Sequence, residues 1–190
     1  NEGKEIHILG YCIDASHVGL KEKLAVLKQS RIERIYAIAE RLKVLGITVP
    51  PEEVFAQAGN ATVGRMHMAR VMVKRKICMN TSEAFRNFIG DHCPSYVLGL
   101  RFNPAEVIEM IHDAGGVAVV AHPYTIRNDA VLSELVSAGL DGVEAFYPEH
   151  SQATINFYLA FAKQHKLLVT GGSDFHGDTT GHSNIGDMKL

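Results

Sequence analysis

The 190-residue sequence has no tryptophan, only three cysteines, no long apolar run and almost no net charge. Each shortage excludes something. Cys12, Cys78 and Cys93 are an odd number without CxxC spacing, which argues against a disulfide framework or a thiolate zinc site and fits a reducing cytoplasm. No stretch approaches the roughly 20 apolar residues of a membrane span. The opening Asn-Glu-Gly-Lys-Glu lacks the basic region and apolar core of a signal peptide, so the chain reads as soluble, unexported and without a membrane partner. A formal net charge of -2 supplies no global field for holding nucleic acid, so any polyanion site has to be local. Repeats and low-complexity tracts are missing too.

What is present is an ordinary globular composition, with 46% hydrophobic and 21% charged residues, together with ten histidines. The length suits one domain, or part of a barrel carrying a small helical insertion. Histidine is the commonest metal ligand and a general acid or base, and only position can say which of the ten matter.

Residues 5–13, EIHILGYCI, alternate apolar side chains at Ile6, Ile8 and Tyr11 and predict a strand. From Leu20 the positions Leu24, Leu27, Ile35, Ile38, Leu42 and Leu45 recur at helical spacing, which predicts one long amphipathic helix ended by Gly46 and Pro50-Pro51. Further helices are expected over 51–58, 64–76 and 82–89, so residues 19–91 read as a helical insertion or cap. From Asn103 the pattern changes: helix 104–114, strand 117–121, helix 130–138, strand 142–146, helix 152–165, strand 167–170. That alternation, with glycine turns at Gly115-Gly116 and Gly139, predicts a parallel sheet with helical crossovers.

Functional side chains of such α/β folds cluster just past the carboxyl ends of the strands. His122 follows the first of these strands, Tyr147-Pro148-Glu149-His150 the second, and Gly171-Gly172-Ser173-Asp174-Phe175-His176 the third. Asp174 and His176 are two apart, so in extended chain both side chains leave on one side and can reach one metal or two neighbouring ones. A carboxylate and imidazoles suit zinc, manganese or iron. His7 lies between Ile6 and Ile8 and faces away from their side. Arg65 and His67, at the predicted start of a helix, could meet a phosphate. Lys74-Arg75-Lys76 reads as a solvated face, the cysteines as core or incidental, and His17, His92, His112 and His165 as surface residues.

The blocks EIHILGYCID, GRMHMARVMV, GGVAVVAHP, GLDGVEAFYPEH and GGSDFHG resemble, in order and over nearly the whole chain, the PHP (polymerase and histidinol phosphatase) family of metal-dependent phosphoesterases. The resemblance implies a distorted (β/α)7 barrel, with residues 1–18 and 92–190 as part of the barrel and 19–91 as a helical insertion. It implies two or three divalent metal ions, manganese, zinc or iron, with His7, His122, Asp174 and His176 as ligands, Asp174 and His176 in the catalytic centre, and Arg65 and His67 on the substrate phosphate. The implied reaction is hydrolysis of a phosphomonoester of a small nucleotide or nucleotide end by metal-activated water. A 5'-3' exonuclease on short RNA and a non-catalytic metal-binding module are the alternatives. The family's first-strand HxH motif and its bridging glutamate in a GxE block have no counterpart here. These 190 residues are therefore expected to lack the first strands and to be inactive alone. Nothing in the sequence sets the oligomeric state.

Overall fold

A computed structural model describes residues 6–175. In chain order the described residues form β1 (Ile8–Tyr11), α1 (Val18–Val44), α2 (Pro51–Ala58), α3 (Arg65–Lys74), α4 (Thr81–Ala84), a π-helical turn (Phe85–Ile89), α5 (Pro104–Asp113), β2 (Val117–Val120), a 3₁₀ turn (Pro123–Ile126), α6 (Asp129–Ser137), β3 (Gly142–Phe146), α7 (Gln152–His165) and β4 (Leu168–Gly171). They divide into two compact units. Among the described residues, one comprises 6–21 and 102–175; the other is Glu22–Arg101. Among the described residues no helix is long and apolar enough to cross a membrane.

The first unit is a four-stranded sheet in the order β1-β2-β3-β4, with helices. β2, β3 and β4 are parallel, as crossovers through α6 and α7 require. β1 is antiparallel to β2, pairing Ile8 with Val120 and Tyr11 with Val117. The beginning of β1 therefore lies beside the end of β2. β1 stops at Tyr11, short of the expected end at Ile13, because Cys12 adopts a left-handed backbone (φ 55°) that ends the extended run. Ala118, Val120, Val143 and Ala145 pack against Ile108 and Ile111 of α5, Leu132 and Leu135 of α6 and Tyr158 of α7. Local chemistry starts α5 where it does. The Asn103 side chain accepts the Ala105 N–H (3.0 Å) and the Glu106 carboxylate accepts the Asn103 N–H (2.9 Å), a capping box worth about 1 kcal/mol. At the amino end of β2 and β3, His112 lies at the surface as expected and has a partner there: its Nε2 lies 2.7 Å from Asp141 Oδ2, which also accepts the Ala118 N–H.

The second unit is helical. Its core is built from Ile35, Ile38 and Leu42 of α1, Val54 of α2, and Met68 and Met72 of α3, all fully buried. Each such side chain contributes about 1.5–3 kcal/mol by leaving water. The expected apolar stripe is only partly used, since Leu24 of α1 is 52% exposed and Leu45, just past its end, 48%. Arg75 is also more than a solvated charge, because its guanidinium grips Glu53 of α2 through two bonds of 2.6 and 2.9 Å. That contact holds the Glu53 carboxyl below its ordinary pKa. Where one helix was expected over 82–89, the backbone passes from α4 into the π-turn. Cys93 Sγ caps the Phe85 and Arg86 carbonyls at 3.4 Å each, and the Ser95 hydroxyl donates to that of Phe88. These downstream donors satisfy carbonyls of the final turn, where the last carbonyls of a helix have no partner within it.

Candidate functional site

The antiparallel pairing of β1 explains the first contact at the carboxyl rim. The Ala121 N–H donates to the His7 carbonyl (3.0 Å), so His7 stands opposite the residue before His122. Their rings meet, with His7 Nδ1 3.0 Å from His122 Nε2 and the planes at 78°. His122 is buried and its backbone is left-handed (φ 30°, ψ 58°) just before Pro123. Thr125 holds its other side: the hydroxyl donates to the His122 carbonyl (3.0 Å) and lies 3.2 Å from Nδ1. With the Thr125 proton so placed, Nδ1 carries the ring hydrogen and Nε2 presents a lone pair toward His7.

Behind His122 sits Glu144, in the middle of β3. Its Oε2 accepts the His122 main-chain N–H at 2.8 Å. Its Oε1 occupies the space beside Gly172, where an added Cβ would come within 2.3 Å. Burial pushes the Glu144 carboxyl pKa up, opposed by the His122 N–H. The sheet therefore brings the ends of β2 and β4 onto opposite sides of one carboxylate.

Asp174 lies two residues beyond Gly172, again with a left-handed backbone (φ 50°). Tyr147 links it to the histidines: its ring packs on His122, centroids 5.6 Å apart, and its hydroxyl lies 3.4 Å from Asp174 Oδ2. Burial, followed by the nearby Asp174 charge, pushes the Tyr147 pKa well above its usual value. Tyr124 donates to Glu149, and that bond is the main reason its pKa rises to about 12. Both phenols stay neutral at physiological pH, so they serve as donors and apolar walls.

His150 is enclosed by Tyr124, Tyr147 and Tyr158 and is 1% exposed. Its Nδ1 lies 2.8 Å from the Ala145 carbonyl and must carry the hydrogen, because a carbonyl only accepts. Burial holds its pKa below 6.5. The unfolded chain takes up this proton first, so the stability His150 contributes is complete above the unfolded pKa and is lost as pH falls through the folded one. The urea midpoint is expected to drop between about pH 7.5 and about pH 5.5, and less steeply in His150→Gln, which keeps a donor but does not titrate. Equal slopes in the two proteins would exclude His150 as the cause.

Of the residues singled out in the sequence, His7 and His122 touch, and Asp174 joins them through Tyr147. His176 lies outside the described residues. Arg65 and His67 belong to the helical unit. Arg65 donates to Asp91 (2.5 Å) and to the Ile89 carbonyl (3.2 Å) while lying over the rings of Phe85 and Tyr96. The contact with Arg65 holds the Asp91 carboxyl below its ordinary pKa. His67 Nδ1 accepts the Gly64 N–H (3.1 Å) at the start of α3, and burial lowers its pKa. Glu144 escaped the sequence reading, although a charged residue amid Gly-Val-Glu-Ala-Phe is a visible anomaly in a parallel strand.

Among the described residues no group of three or more His, Cys, Asp or Glu side chains is arranged to hold a metal ion. The donors present nonetheless fit part of such a site. Two metal–nitrogen bonds at tetrahedral angles place their nitrogens about 3.3 Å apart, close to the 3.0 Å between His7 and His122. Thr125 supplies the outer contact that orients a ligating imidazole.

No protein-family model matches the chain. It is similar to the 5'-3' exoribonuclease Rnm of Escherichia coli, with 31% identity over 180 residues, 92% of this chain and 61% of that protein. It is similar as well to a 3',5'-nucleoside bisphosphate phosphatase of Chromobacterium violaceum, 27% identical over 190 residues, 97% of this chain and 67% of the relative. The crystal structure of a candidate metal-dependent phosphoesterase of Bifidobacterium adolescentis superposes with a TM-score of 0.87 at 29% identity, covering 99% of this chain and 68% of that one. The chain spans about three fifths to two thirds of the length of the curated relatives it matches.

Proposed function

We propose, from the premise that this chain is a relative of the PHP-type metal-dependent phosphoesterases, that the protein hydrolyses a phosphomonoester of a small nucleotide or nucleotide end. The observation that carries this reading is the meeting of His7 and His122 at 3.0 Å, with Asp174 one tyrosine away. One relative is named for nucleoside bisphosphates and another for RNA, so a phosphorylated nucleotide is the chemistry common to both. In this reading the sheet unit forms part of a distorted seven-stranded barrel, the helical segment is an insertion, and the protein works in the cytoplasm.

Two or three divalent ions, manganese, zinc or iron, would be held by His7, His122, Asp174 and His176. They would supply Lewis-acid neutralisation of phosphoryl charge and lower the pKa of a water. The chain's own residues orient and exclude. Thr125 keeps the His122 Nε2 lone pair directed at His7, and Tyr147 steadies Asp174 from its hydroxyl. Tyr124 and Tyr147, both neutral, wall the rim against water. Arg65 binds a substrate phosphate, and His67, uncharged at neutral pH, holds the backbone turn that carries it. His176 or another rim histidine returns a proton to the leaving oxygen.

A second reading, 5'-3' exonuclease action on short RNA, is favoured by the 31% identity to Rnm. Phosphate release from nucleoside mono- and bisphosphates, compared with nucleotide release from a 5'-phosphorylated oligoribonucleotide, separates the two. The full-length protein loaded with manganese, zinc or iron is expected to turn over one of these classes. Metal binding without turnover of either would instead mark a non-catalytic metal-binding module. Arg65→Ala is expected to raise KM by about tenfold to a hundredfold, the loss of a charged hydrogen bond, with a smaller change in kcat. An unchanged KM would remove Arg65 from the substrate site.

A further inference from the structure

We propose that Glu144 is a positioning residue which, from the centre of the sheet, sets the backbone at the ends of β2 and β4 and thereby the angle at which His122 and Asp174 enter the candidate site. The proposal rests on the reading of that rim as the functional site. Its geometric basis is independent of any substrate. β3 is paired with β2 on one side and with β4 on the other, so a side chain of β3 can touch both strand ends at once. The Glu144 carboxylate, 4% exposed, does so through different oxygens: Oε2 accepts the His122 N–H at 2.8 Å, and Oε1 abuts Gly172.

Both strand ends need such support. His122 holds a left-handed backbone immediately before a proline, a combination that persists only where surroundings over-determine it. The hydrogen bond from its own N–H is a direct restraint on that conformation. On the other side, a Cβ at 172 would force Oε1 out of its present position, and the Gly172 N–H in turn bonds the Phe146 carbonyl at 3.0 Å. The chain leaving β4 is thus drawn against β3 before it reaches Asp174. Among the described residues Glu144 forms no ion pair with a lysine or arginine. Burying a carboxylate is costly, and packing alone would be served by an apolar side chain of the same size. An acceptor aimed at a strained backbone N–H gives the carboxylate a purpose that leucine could not fill.

The test uses the full-length protein and the variants Glu144→Leu, which matches the size but accepts nothing, Glu144→Gln, which keeps an acceptor, and Gly172→Ala, which intrudes on the same contact from β4. Histidine-ring nitrogen resonances are recorded without metal, and phosphoester turnover is measured separately. Glu144→Leu is expected to stay folded, shift the His122 ring signals, and lower kcat by about tenfold or more with KM within about threefold, as displaced groups do. Glu144→Gln is expected to restore the His122 signals and most of kcat. Wild-type His122 signals in Glu144→Leu, or a loss that Glu144→Gln does not recover, would overturn the proposal. If Glu144→Leu fails to fold, Gly172→Ala decides: residue 172 is fifty positions from His122, yet the His122 signals must move, and unchanged signals refute the assignment. Should the protein cleave no phosphoester, the metal-free resonances still judge Glu144 while the functional reading alone falls.

Discussion

His122→Ala is expected to lower kcat/KM for phosphoester hydrolysis by roughly a thousandfold while the protein stays folded, because charge neutralisation by a metal supplies several kcal/mol of the barrier reduction. Removing the ring deletes the Nε2 atom that meets His7 and breaks the Nδ1 contact with Thr125, but leaves the main-chain bond to Glu144 untouched. The stability cost is therefore limited to the local side-chain contacts, about 1–2 kcal/mol. Asp174→Ala should lose activity to a similar degree. His112→Ala is the control: it deletes a hydrogen-bonded histidine at the opposite end of the same strands, so it should cost stability through Asp141 and leave turnover intact. Steady-state kinetics alongside urea denaturation read both quantities. Wild-type turnover in His122→Ala and Asp174→Ala would end the case for a metal-dependent rim.

Leu42→Ala is expected to destabilise the helical unit by about 2–5 kcal/mol, a large share of the roughly 5–15 kcal/mol that a domain has. Leu42 is fully buried between α1 and its neighbours, and truncation removes transferred apolar surface and leaves a cavity that Ile38, Val54 and Met72 cannot wholly close. Val44, two residues along the same helix, is 86% exposed. Val44→Ala should change stability by no more than about 0.5 kcal/mol. The pair differs in face and hardly in chemistry, so the gap between the two urea midpoints measures burial directly. A Leu42→Ala midpoint no lower than that of Val44→Ala would mean that α1 packs through a different face.

Much of the fold was legible because its signals are local. The alternation from Val117 to Gly171 follows from β-branched runs, glycine turns and caps such as Asn103 and Ser151, each acting within a few residues. What the pattern could not carry was anything settled by a neighbour distant in sequence. The helical periodicity of α1 is equally good at Leu24 and at Leu42, and only packing against α2 and α3 makes one exposed and the other buried. The segment 82–89 has ordinary helical propensity, yet its second half winds as a π-turn whose carbonyls are capped by Cys93 and Ser95 from further along the chain.

The candidate site divides along the same line. Residue type and strand-end position are enough to single out His122 and Asp174 as candidates, since α/β sheets expose such ends by their construction. The family resemblance of AHP and GGSDFHG agreed with that placement. Which groups share a point in space was a different matter. His7 and His122 are 115 residues apart, and they meet because β1 runs antiparallel to β2, a direction that no residue in either strand encodes. Glu144 gained its place in the same way: a carboxylate in a strand is an anomaly by sequence, and it becomes a tie between two strand ends only once β3 has β2 and β4 on its flanks. The sequence by itself thus determined the elements and the chemistry available at their ends, because propensity, capping and side-chain type are properties of short stretches. The tertiary structure alone decided which of those groups converge, because sheet order and strand direction come from burying the whole core at once.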